Sequence, residues 1–221
     1  MKKNLLPFTL LVLVLWGISS CSNETGEKKN QDLYLPDSIN TEGMSQAEIE
    51  CFSNPDFICE SGLAFVRLGD YVADVKLSSL SDDDIQDSVQ NGNGFEWLVR
   101  TLHLEDGKII VEGEFIDQRY SNDSLLAVSK VNRIRVESQK YRTPEEIHVG
   151  TSLSDFLEKF EAASVQVFPL TEFESINIQV GSQKYIYLVK DAGNRMSTAA
   201  GNEFSIDDIP AESRISAIVV M

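Results

Sequence analysis

The chain has 221 residues, 42% of them hydrophobic, and a formal net charge of −16 at pH 7. So acidic a balance repels polyphosphate backbones and anionic bilayers alike, which argues against nucleic acid as a partner and against direct electrostatic binding to lipid. The hydrophobic share is ample for a core, and length alone allows one domain or two small ones.

In chain order, Lys2 and Lys3 come first, residues 5–16 follow almost without a polar break, and then comes Gly17-Ile18-Ser19-Ser20-Cys21. A basic start, an apolar segment of roughly 7–15 residues and small residues before a cut site form a secretory signal. The apolar segment falls short of the roughly 20 residues that a stable spanning helix needs. Ile18-Ser19-Ser20-Cys21 resembles the lipobox of bacterial lipoproteins, in which an aliphatic residue and two small ones precede a cysteine. The resemblance implies cleavage between Ser20 and Cys21, diacylglycerol on the Cys21 thiol, and acylation (palmitate) of the new amino terminus. The alternative is a plain secretory signal cut nearby, with Cys21 a free thiol. Residues 1–20 are then a signal peptide, and loss of Lys2 and Lys3 takes the formal charge from −16 to −18. In the lipoprotein sorting rule an Asp after the cysteine retains the protein in the inner membrane. Ser22 stands there instead, which points to a lipid anchor in the outer membrane, facing the periplasm or, with Glu24 as a weak acidic signal, the cell surface.

Residues 21–44 are polar, with few large apolar side chains, and read as a flexible tether. Over 45–60, Ser45-Gln46-Ala47-Glu48 has capping-box spacing and predicts a short helix running toward Cys51. Cys51 and Cys59 bracket an Asn54-Pro55-Asp56 turn, a spacing that suits a disulfide worth about 2–3 kcal/mol in an oxidising compartment. Free thiols and a metal site are the alternatives. Metal needs clustered ligands, and His103 and His148 neighbour neither cysteine, so no metal is expected.

The body shows self-similarity. "VRLGDYVADV" (66–75) aligns without a gap on "IHVGTSLSDF" (147–156), pairing Gly69 with Gly150 and Asp74 with Asp155 at an offset of 81 residues. Arg133-Ile134 aligns with Arg214-Ile215 at the same offset. Each unit, 61–140 and 141–221, reads as a strand ending in a Gly turn, a helix, a hairpin and a closing strand. In the second, Ser152 and Asp155 fit a capping box, and Leu153, Phe156, Leu157 and Phe160 form one apolar face. In the first, Tyr71 stands where Ser152 does, so its helix is shorter or differently capped. Hairpins are expected around Glu105-Asp106-Gly107 and Gly181-Ser182, with closing strands "NRIRVES" and "RISAIVVM". The predicted fold class is α+β: two tandem β-turn-α-β-β-β units, mostly antiparallel, with one short helix each.

From about residue 61 to 221, the run of an Arg-Ile strand, a Thr-containing link, an aliphatic-x-aliphatic-Gly turn and a short helix resembles a group of uncharacterised secreted or lipid-anchored proteins of Bacteroidota. The resemblance implies organisation and origin, and no catalytic residue comes with it. Glu146 stands where the pattern has a Gly before Ile147.

Motifs of catalysis are missing: there is no G-x-S-x-G, H-E-x-x-H or Walker lysine loop. "GNGFEW" departs from a dinucleotide fingerprint at Trp97 and reads as a loop before a strand. "SDDDIQD" groups Asp82, Asp83, Asp84 and Asp87 without the alternation of a calcium loop, and reads as a solvated charge run. Asp191-Ala192-Gly193-Asn194-Arg195 reads as a turn. His103 shares a strand face with Trp97, Val99 and Thr101, and no sequence argument supplies the partner that a general base needs. His148 aligns with Arg67, which suggests an exposed polar position rather than a shared site. No catalytic residue and no cofactor are assigned. Two functional classes follow. One is a non-enzymatic binding or assembly module that holds an envelope protein or glycan at the junction of its units. The other is a carboxylate-dependent hydrolase or glycan-processing enzyme. The first predicts an exposed apolar or aromatic patch; the second predicts a cleft with two carboxylates roughly 5–10 Å apart.

Overall fold

The computed structural model describes residues 43–161, 164–170, 175–190 and 205–221, all within one compact unit. Ser20, Cys21, most of the tether and the 191–195 turn lie outside the described residues. Helix α1 (Gln46–Phe52) begins at the expected box: the Glu48 N–H donates to the Ser45 hydroxyl, and the Ser45 N–H donates to the Glu48 carboxylate. It brings the sulfurs of Cys51 and Cys59 to 2.07 Å, with their Cα atoms 6.0 Å apart. A small hairpin of β1 (Gly62–Leu63) and β2 (Val66–Arg67) follows.

Then come β3 (Ile85–Gly92), β4 (Phe95–Leu104), β5 (Gly107–Gly113), β6 (Ile116–Asp117), α2 (Asp123–Ala127) and β7 (Val131–Val136). The rest is α3 (Leu153–Lys159), β8 (Val165–Leu170), β9 (Ser175–Val180), β10 (Tyr185–Lys190) and β11 (Ile215–Val220). One nine-stranded antiparallel sheet runs β3-β4-β5-β7-β11-β10-β9-β8, with β6 beside β4. The fold is sheet-rich with few helices, an α+β architecture.

Period-two alternation turns one face inward. Leu102, Ile109, Val136, Ile218, Tyr187 and Ile178 are successive register partners and form an unbroken, fully buried row from β4 to β9. Leu153 and Phe156 of α3 join this core, as do Ile58, Leu63 and Val72. The predicted stripe is therefore buried as expected, with Leu157 and Phe160 packed at its margin. On the opposite face Leu188, Ala217 and Val219 form a second buried cluster with Ile186.

The two halves repeat a hydrogen-bond pattern. Gly69 N–H donates to Val131 O and Val131 N–H to Asp70 O; Gly150 N–H donates to Ile215 O and Ile215 N–H to Thr151 O, all at 2.7–2.9 Å. Both glycines sit at positive φ, 89° and 97°, a region that favours glycine because it lacks a Cβ. Val72 N–H then reaches Ser129 O as Leu153 N–H reaches Ser213 O. The register of β5 on β7 slips at Gly113 opposite Val131, and that of β10 on β11 slips at Val189 opposite Ile215.

Several expectations need correction. On the closing strands the matching bonds are made by Val131 and Ile215, not by Ile134 and Ile215, because three more residues precede β11 than precede β7 once Gly69 and Gly150 are matched. The hairpins also carry outer strands that the sequence reading omits: β3 pairs with β4, and β8 with β9. "GNGFEW" is the tip joining β3 to β4, with Asn93 and Gly94 at φ 52° and 84°, the positive pair that a two-residue hairpin turn demands. In "SDDDIQD" only Asp82–Asp84 make an exposed 3₁₀ turn. Asp87 lies on β3 and binds the guanidinium of Arg100. After Gly69 the chain makes a 3₁₀ turn at Val72–Asp74 where the second half forms α3, and the α-helix of the first half is α2, just before β7. Glu146 holds the left-handed φ of 66° that the missing Gly would adopt freely.

Candidate binding surface

The outer face of the sheet is where β4 sends Phe95, Trp97, Val99, Thr101 and His103. At its start the side chains are aromatic and solvated: Phe95 is 43% exposed, Phe115 50% and Tyr120, in the turn after β6, 68%. Trp97 meets Phe115 edge-on, with centroids 4.9 Å apart at 81°. That T-shaped contact suits the ring quadrupoles and holds both rings in place. Gly92 lies across the hairpin from the indole, at a distance where an added Cβ would make ordinary van der Waals contact, 3.7 Å from the ring.

Polar groups edge this patch. Asp117, opposite Phe95 in the register, takes the Arg119 guanidinium on both carboxylate oxygens. The hydrogen bonds from that guanidinium, and then from the Arg119 N–H, hold the Asp117 carboxyl below its usual range. Arg119 also lies 5.6 Å over the Tyr120 ring, and Glu96 accepts from the Ser121 hydroxyl at 2.7 Å.

Two cavities accompany the patch. One, of about 170 Å³, lies on the outer face where β7 meets β11. Ile186, Leu188, Val219 and Met221 form its apolar part, and Glu112, Arg133, Arg135 and Asn177 its polar part. The other, of about 330 Å³, lies beside Cys51 and Cys59 and carries Glu48, Glu60 and Glu145 with Lys184 and Tyr185. There the Ser45 N–H and then the Ser61 hydroxyl hold the Glu48 carboxyl below its usual range. Tyr185 donates its hydroxyl to Ile58 O at 3.0 Å; burial, with Glu145 and Glu60 nearby, pushes its pKa up.

The candidate residues of the sequence do not converge. His103 is exposed on the outer face. His148 is half-buried, its Nδ1 2.8 Å from Val149 O. Its N–H donates to the Thr151 hydroxyl as the Arg67 N–H does to Asp70, so the aligned pair shares a backbone role. Among the described residues no group of three or more His, Cys, Asp or Glu could hold a metal ion, and no helix is long and apolar enough to cross a membrane. What the sequence reading missed is the aromatic patch and Asn177. Phe95 and Phe115 are twenty residues apart in the chain; the β4–β6 pairing sets Phe95 opposite Asp117 and brings Phe115 to Trp97, and Tyr120 follows three residues after Asp117.

No family model matches the chain, and no curated protein matches it. Among solved structures it is similar to the crystal structure of the uncharacterized protein yfeY from Escherichia coli, at 16% identity and a TM-score of 0.44, over 69% of this chain and 94% of that one.

Proposed function

We propose that the protein is a lipid-anchored, non-enzymatic binding module of the outer membrane, and that its outer sheet face holds an envelope protein or glycan. The aromatic patch carries this reading. Rings left in water at 43–68% exposure forgo burial that each could gain against a partner. In this reading residues 1–20 are removed, acyl chains on Cys21 hold the chain to the membrane at about 0.8 kcal/mol per buried methylene, and residues 21–44 give the domain reach. A Cys51–Cys59 bridge suits an oxidising compartment.

Three experiments test it. Native lipidated protein should capture a partner from detergent-solubilised envelope, and Phe115→Ala/Tyr120→Ala should lose that capture while keeping its melting temperature; equal capture by the variant would remove the patch from the reading. Radiolabelled palmitate should enter wild type and not Cys21→Ala, which should leave the membrane fraction; labelling of both would end the lipoprotein reading. Alkylation without reductant should spare both Cys51 and Cys59.

A second reading rests on the cavity lined by Glu48, Glu60 and Glu145, where a hydrolase could place paired carboxylates. A general acid needs a raised pKa, and Glu48 is shifted the other way. Release of reducing sugar from envelope glycan by wild type, and not by Glu60→Gln, would put this reading first.

We also infer that residues 61–140 and 141–221 descend from one duplicated unit. The shared bonds at Gly69/Val131 and Gly150/Ile215, the matching register slips and the mirrored strand order support it. A chimera carrying residues 150–156 in place of 69–75 should fold; failure to fold would count against equivalence.

A further inference from the structure

The cavity at the β7–β11 junction contains a polar atom that the fold does not use. Asn177 is only 9% exposed, and its Oδ1 has no hydrogen-bond partner among the described residues. A buried carbonyl without a donor is costly, and such atoms in folded proteins call for an explanation. Packing does not require this residue. In the other half Val99 faces Glu112 across the same step of the ladder at which Asn177 faces Leu188, and Val99 is buried without difficulty.

The surroundings define what could supply the donor. Arg133 is paired with Glu112 and Arg135 with Glu137, so each guanidinium of the wall already has a carboxylate partner. Ile186, Leu188, Val219 and Met221 offer apolar surface. The volume of about 170 Å³ exceeds the roughly 150 Å³ of an engineered cavity that binds benzene.

We propose that this cavity binds a neutral, monohydroxylated apolar group of about phenol size, whose O–H donates to Asn177 Oδ1. The apolar body is held by the β10–β11 side chains, and the hydroxyl sets its orientation. This inference stands apart from the aromatic patch, since Phe115→Ala/Tyr120→Ala leaves the cavity intact.

Phenol and toluene have nearly the same shape and differ in the donor, which makes them the probes. Binding of each to full-length Cys21→Ala protein and to the same protein with Asn177→Val is followed by NMR titration. Phenol should bind saturably and shift the methyl resonances of Leu188 and Val219. The ratio of the toluene Kd to the phenol Kd should fall about tenfold in the valine variant, because taking the ratio cancels the different hydration of the two probes. Failure of phenol to saturate the protein, or shifts elsewhere, overturns the proposal whatever the variant does. An unchanged ratio in Asn177→Val overturns the role of Asn177.

Discussion

Above the same strand frame, the two halves fill space by opposite means. In the second, Ser152 caps α3, and the Phe156 ring lies 4.9 Å from both Phe160 and Tyr187. In the first, Tyr71 gives no side-chain cap and the chain makes only a 3₁₀ turn. Arg100 occupies the register position of Ile178, and Asp87 that of Val167. The Arg100 guanidinium binds the Asp87 carboxylate and donates to Ala73 O and Val75 O. A charged clamp therefore fixes a turn where an aromatic cluster fixes a helix. The ladder sets the architecture, and what sits on it is replaceable.

The sharpest way to break this contrast is Phe156→Asp. It should destabilise by more than about 3 kcal/mol through lost burial and an unpaired charge; an unchanged melting temperature would mean that α3 faces water. Alkali should act next, and through the aromatic half. Burial pushes the phenols of Tyr187 and Tyr185 up, and that of Tyr141 up to about 12. Because their folded pKa values lie above the unfolded value near 10, their stabilisation is complete below about pH 10 and is lost as pH rises through the folded values. Tyr141 alone should account for about 2 kcal/mol of that loss. Tyr187→Phe should flatten stability between pH 10 and 12 in chemical denaturation, and an identical alkaline slope in the variant would refute the assignment.

In the first half, Asp87→Val should cost about 1–2 kcal/mol by stranding Arg100, less than a fully buried pair would because the Asp87 side chain is 45% exposed. Adding Arg100→Ile, which copies the pair of the second half, should recover part of that loss but not all, since Ala73 and Val75 lose their donor. Full additivity of the two changes would show that the pair is uncoupled. The smallest effects concern the caps: Ser152→Ala should cost about 1 kcal/mol, and Tyr71→Ser should gain a few tenths.

The local features were the legible ones. The Ser45–Glu48 box and the stripe from Leu153 to Phe160 each lie within two helical turns, so spacing alone reveals them. β3 was hidden because an edge strand needs no continuous apolar face: in "IQDSVQNG" the inward side carries Ile85 and Val89 but is broken by Asp87, which turns toward Arg100, and no local pattern announces that pairing. The three-residue displacement in the closing strand was invisible to a comparison that matched Arg-Ile with Arg-Ile, because only the hydrogen bonds of Val131 and Ile215 reveal it. Asn177 sits at an outward step of an alternating strand, where polar residues are ordinary, and the cavity beside it is walled partly by Glu112, Arg133 and Arg135, far from it in sequence.

The junction also sets the order in which the fold can be completed. β11 follows every other described strand, yet it lies at the centre of the sheet between β7 and β10. As the polypeptide emerges, β7 has an open edge until β11 is delivered about eighty residues later, and β10 waits with it. Such non-local pairing slows folding and leaves strand edges exposed meanwhile. The protein should therefore spend much of its refolding time as two half-sheets, and a holdase that shields open edges should raise the yield of native protein more than it raises the rate.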